Sequence, residues 1–124
     1  MHCKPGVGNG LSVLVVDDDP AMCRMLVDCL RAAGLDATAA HGVDEAVALY
    51  REHCYPLIVS DIQMRPRDGF ALLAEVKALD PAARVILMSS FGSSTSGRRA
   101  EEAGAFAYLT KPFDPGDLIG LLRA

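Results

Sequence analysis

From residue 11 onward, short apolar runs alternate with amphipathic stretches. LSVLVV at 11–16, the less apolar LDATAA at 35–40, LIVS at 57–60, RVILMS at 84–89 and AFAYL at 105–109 have the length of buried strands. The intervening segments carry helical spacing. Asp19 is a natural N-cap with Pro20 at the first helical position, and Met22, Leu26, Cys29, Leu30 and Ala33 recur as one stripe before Gly34 stops it. A second helix over 44–50 carries Val47 and Tyr50, after Val43. A third opens at Asp68-Gly69, buries Leu72, Leu73, Val76 and Leu79, and ends at Asp80-Pro81. A fourth over 94–103 is closed by Gly104, and Asp114 caps a fifth with Pro115 in its first turn and Leu118, Ile119, Leu121 and Leu122 facing in. Five strands alternating with five helices predict a doubly wound α/β fold with a parallel sheet and helices on both faces.

Composition narrows the class. The 124 residues suit one domain, half of them are hydrophobic, and the glycine-rich leader 1–10 offers little to bury, so the folded domain is expected over 11–124. A formal charge of -4 and a pI near 5.2 argue against a nucleic-acid surface within this chain. No apolar run of membrane-spanning length and no signal-peptide pattern is visible, so a cytoplasmic protein without a membrane partner is expected. Cys3, Cys23, Cys29 and Cys54 show no CxxC spacing and read as reduced thiols, and His41 reads as a loop or cap residue.

In a parallel sheet every strand's carboxyl end lies on one edge, where ligands bind. The first run there delivers Asp17 and Asp18, the third Asp61, the fourth Ser89 and the fifth Lys111. Converging carboxylates repel, and at least one pKa should rise, unless a divalent cation joins them. Magnesium, which takes one or two carboxylates with waters and phosphate oxygens, fits that need. Asp61, alone at the end of a central strand, is the better nucleophile, and Asp17 and Asp18 are the better metal ligands. Taken singly, each of these residues also reads as a helix cap, a turn residue or a surface lysine. Lys111-Pro112 invites a cis peptide that would aim the lysine inward.

With VLVVDDDP, LIVSDIQM followed by DGF, VILMSS and GAFAYLTKPFD in this order and spacing, the chain resembles the receiver domain of two-component response regulators over nearly its whole length. The last string is most similar to receivers of nitrogen-regulatory transcription factors. That resemblance implies a flavodoxin-like strand order 2-1-3-4-5. It further implies that Asp61 takes a phosphoryl group from a sensor histidine kinase or a small donor such as acetyl phosphate. Asp18, Asp61 and the Gln63 backbone carbonyl would bind Mg2+ directly and Asp17 through water. Lys111 would pair with the phosphoryl oxygens, Ser89 would turn toward them, and Tyr108 would be the aromatic that swings inward. Such a domain is a phosphoacceptor with self-phosphorylation and self-dephosphorylation rather than an enzyme. Its surface of fourth helix, fifth strand and fifth helix, with Arg98, Arg99, Glu101, Glu102 and Asp117, would suit a homodimer.

Two departures stand out. MRPRDG places Arg65 where the family commonly has proline, with Pro66 one position late, and both Arg65 and Arg67 are expected to point into solvent. Phe91, with Gln63 below it, would hinder the water that hydrolyses the acyl phosphate. The competing class is a phosphohydrolase of the haloacid-dehalogenase type, with Asp17 as nucleophile, Asp19 as acid and Ser89 and Lys111 as later motifs. It lacks the glycine and threonine expected after DxD and leaves Asp61 idle. A degenerate receiver serving only as an interaction module is the third reading, and the presence of all five key positions speaks against it.

Overall fold

The computed structural model describes residues 12–53, 55–90, 94–111 and 113–122, with the backbone alone at 94–96, 115 and 122. Expectations for the leader 1–10, for Cys54, for Phe91 and for a cis bond at Pro112 lie outside the described residues. Among the described residues, ten elements follow in strict alternation: β1 (Ser12–Val16), α1 (Pro20–Ala32), β2 (Asp36–Ala40), α2 (Val43–His53), β3 (Leu57–Asp61), α3 (Gly69–Leu79), β4 (Arg84–Ser89), α4 (Ser94–Glu102), β5 (Ala107–Thr110) and α5 (Pro115–Leu122). The five strands form one sheet in the order β2-β1-β3-β4-β5, every pair parallel.

Strand alternation divides the core in two. Val13, Val15, Leu57, Val59, Ile86 and Met88 face α1 and α5, where Cys23, Leu26, Leu30 and Leu118 meet them. Leu14, Val16, Ile58, Val85 and Leu87 face the other way, onto Val47 and Tyr50 of α2, Leu72, Leu73 and Val76 of α3 and Ala100 of α4. Strands buried on both faces are continuous apolar runs, which is why 11–16, 57–60 and 84–89 are so legible in the sequence. β2 is an edge strand with two exposed positions, so its apolar signal is diluted.

Caps fix where the helices begin. The Asp19 carboxylate accepts from the Ala21 N–H at 3.0 Å, and that of Asp68 from the Ala71 N–H at 3.0 Å. At the far end of α2, Tyr50 is buried, and its hydroxyl donates to the Asp80 carboxylate at 3.2 Å. Burial, reinforced by that neighbouring carboxylate, pushes the phenol up to about 12. No described helix is long and apolar enough to cross a membrane.

Candidate functional site

Parallel pairing sets the strand ends side by side. Val16 pairs with Ser60 and Asp61 with Met88, so Asp17 and Asp61 emerge on neighbouring strands, and Ser89 pairs with Thr110, so Lys111 follows one step later. Backbone bonds carry the ladder past its formal end: the Asp17 N–H donates to the Ala40 carbonyl at 3.1 Å, and the Lys111 N–H to that of Ser89 at 2.7 Å. Asp61 continues the alternation of Leu57 and Val59, on the face toward α1 and α5. Ser89 continues that of Val85 and Leu87, on the opposite face.

Asp17 and Asp61 are 1% and 5% exposed, burial that leaves carboxylates in need of a counter-charge. Lys111 supplies one. Its Nζ donates to Asp17 Oδ2 at 3.2 Å and lies 3.4 Å from Asp61 Oδ1. The second Asp17 oxygen accepts from the Asp19 N–H at 3.0 Å. Asp17 therefore has both oxygens engaged, whereas Asp61 Oδ1 is buried without a hydrogen-bond donor among the described residues. Burial raises the Asp61 pKa, the Lys111 charge works against that shift, and the charges of Asp17 and Asp18 add to it. One carboxylate oxygen from each of Asp17, Asp18 and Asp61 lies within 4.8 Å of the others, and Asp18 is exposed. A hard dication would take such oxygens and relieve the repulsion that adds to the raised pKa, so the donor set fits a cation.

The loop over the crevice departs from expectation in several places. Gln63 turns its side chain toward Ser89, whose hydroxyl donates to Gln63 Oε1 at 3.2 Å. Arg65 is exposed, as expected, and its peptide bond to Pro66 is cis. Arg67 does not point freely into solvent: it pairs with Asp44 of α2 at 3.0 Å and with Glu75 of α3, tying the end of the loop to both helices. On α4, Arg99 lies over the Phe70 ring of α3 at 4.0 Å, so it faces α3 instead of joining the surface expected with β5 and α5. Arg98, Glu101, Glu102 and Asp117 are exposed, and the half-buried Tyr108 ring lies against Gly97 of α4, where an added Cβ would stand 3.5 Å from it.

Asp19 is spent as a helix cap, which removes the acid that the hydrolase reading requires. Asp19→Ala should cost about 1 kcal/mol of folding stability, measured as a lower denaturant midpoint.

An all-parallel sheet of order 2-1-3-4-5 carrying a buried acid and lysine group at its carboxyl edge defines an α/β protein of the flavodoxin-like class. The chain belongs to the response regulator receiver domain family, whose model matches residues 13–123. It is 39% identical over 104 residues to the transcriptional regulatory protein ZraR of Salmonella typhimurium, covering 84% of this chain and 24% of that regulator. Against the chemotaxis protein CheY of Halobacterium salinarum it is 38% identical over 101 residues, covering 82% of this chain and 84% of CheY. A response regulator from Burkholderia pseudomallei, solved with a phosphorylated aspartic acid, a calcium ion and citrate, superposes with a TM-score of 0.83 at 28% identity, over 90% of this chain and 66% of that one. This chain is thus a receiver domain of two-component signalling. It spans about a quarter of the length of the ZraR relatives it matches.

Proposed function

We propose that this receiver domain is switched by phosphorylation of Asp61. The observation that carries the reading is the state of that carboxylate: buried, raised in pKa, with one oxygen lacking a hydrogen-bond donor among the described residues and an ammonium 3.4 Å away. A carboxylate oxygen of Asp61 attacks the phosphorus of a kinase phosphohistidine. The new O–P bond forms as the P–N bond breaks, and the P–N electron pair leaves with the imidazole nitrogen. Acetyl phosphate would serve equally, with acetate as the leaving group. Lys111 already spans Asp17 and Asp61, so it is placed to neutralise oxygens that arrive on Asp61. Bound Mg2+ would supply charge neutralisation for the phosphoryl oxygens. Asp18, Asp61 and the Gln63 carbonyl would hold it directly and Asp17 through water, a division in keeping with the fully engaged oxygens of Asp17.

Ser89 reports the new charge. Its hydroxyl starts on Gln63 and must leave that partner to reach the phosphoryl group. Tyr108 shares Ser89's face of the sheet and borders a cleft of about 240 Å³ with Gly97, Ala100, Glu101 and Phe106. A ring moving there changes the surface of α4, β5 and α5, the site we assign to a homodimer or an output partner. The partner on the input side is a sensor histidine kinase, in a cytoplasmic setting where Cys23 and Cys29 stay as free thiols.

Thermal midpoints test the cation and phosphoryl parts together. Mg2+ at 100 times its dissociation constant should add about 2.7 kcal/mol of stability, and beryllofluoride, a phosphoryl mimic, should raise the midpoint further only when Mg2+ is present. Equal midpoints with and without both ligands would contradict the site as proposed.

A further inference from the structure

Cys23 is a buried thiol that the phosphoryl chemistry does not use. It stands in the first turn of α1, is 1% exposed, and has its sulfur under the carboxyl edge of the sheet. The Sγ lies 3.2 Å from the Asp17 carbonyl oxygen and 3.7 Å from that of Ala40. Ala40 also accepts the Asp17 N–H, so β1, β2 and α1 are joined at one point beneath the acids. Burial, with the Asp17 charge next in weight, pushes the thiol up to about 11. The thiol is an S–H donor facing these two carbonyls.

The peptide unit whose carbonyl accepts that S–H joins Asp17 to Asp18. A shift of its plane displaces both carboxylates relative to Asp61, whose buried Oδ1 lacks a hydrogen-bond donor among the described residues and lies at the same site.

We propose that Cys23 is a positioning residue for the cation site, its S–H fixing the Asp17–Asp18 peptide against the end of β2 so that the three carboxylates keep a common centre. The inference rests on the reading of Asp17, Asp18 and Asp61 as a cation site. Calorimetric titration with Mg2+ alone, with no phosphodonor, tests it on the full chain and on Cys23→Ser, Cys23→Val and Cys23→Ala. Serine keeps a donor, and its dissociation constant should stay within about twofold of the parent's. Valine keeps the volume without the donor and should bind Mg2+ about fivefold more weakly, as should alanine, which serves if the valine variant fails to fold. Thermal midpoints of the metal-free variants separate positioning from packing: a purely packing role lowers the midpoint and leaves the Mg2+ constant alone. The proposal is overturned if the valine or alanine variant binds Mg2+ like the parent, or if serine is weakened as much as valine. A parent that takes up no Mg2+ overturns the cation site itself, a distinct outcome.

Discussion

Gly69→Ala is expected to destabilise the domain by about 1–3 kcal/mol, the range for overpacking a fixed site, and to disturb Asp61 in the same stroke. A Cβ at position 69 would stand 2.5 Å from the Asp61 carbonyl oxygen and 3.0 Å from the Ile62 Cα. Those neighbours are backbone, so neither can rotate away. The approach is close because the Gly69 N–H donates to the Ile62 carbonyl at 2.9 Å, pressing the start of α3 against the end of β3. Relief requires moving α3 or the strand end, and the second choice moves Asp61. Chemical denaturation should show a lower midpoint with an unchanged slope, and acetyl phosphate should label the variant more slowly. A stability equal to that of the parent would mean that α3 is free to slide.

Asp61→Asn is expected to act in opposite directions on stability and on function. In metal-free protein near neutral pH, the amide removes a charge that burial disfavours and that Asp17 and Asp18 repel. The thermal midpoint should therefore rise, by an amount corresponding to about 1–3 kcal/mol on the scale of one imperfectly paired buried group. The sign follows from linkage. Asp61 has a raised pKa in the folded state, so the folded protein binds that proton more tightly than the unfolded chain does. The metal-free parent should gain stability as pH falls from above that raised folded pKa toward the ordinary carboxylate range. Asp61→Asn should lack this component. Mg2+, by contrast, should stabilise the parent more than the variant, since one of the three carboxylates is gone. A variant less stable than the parent without metal would mean that Lys111 more than offsets the repulsion.

Much of the fold was written in the residue pattern. Runs buried on both faces announced β1, β3 and β4, and the caps Asp19 and Asp68 stand where the sequence put them. Boundaries drifted where local signals are thin. α2 continues to His53 because its last turn, Arg51 to His53, is exposed and adds nothing to an apolar stripe that stops at Tyr50. β5 starts at Ala107, two residues late, since Ala105 is still bonded to Ala100 of α4.

The gathering of Asp17, Asp18, Asp61 and Lys111 was equally legible, because parallel strands put their carboxyl ends on one edge. What the sequence withheld depends on how elements cross. Arg67 finds Asp44 and Glu75 only because α2 and α3 lie side by side, and Arg99 finds Phe70 by reaching from α4 across to α3. Cys23 read as an idle thiol, yet the first turn of α1 brings it under Asp17. The bond between the Gln63 side chain and Ser89 depends on how the loop after β3 folds back. Strand alternation carries one more step: Asp61 shares parity with Val59, and Ser89 with Leu87, so the order of residues alone puts Asp61 and Ser89 on opposite faces of the sheet.

The most direct measurement is the intact mass of the chain after incubation with acetyl phosphate and Mg2+, for the parent and for Asp61→Asn. One phosphoryl group added to the parent and none to the variant is the predicted result. The same addition on Asp61→Asn, or none on a parent shown to bind Mg2+, would contradict Asp61 as the acceptor.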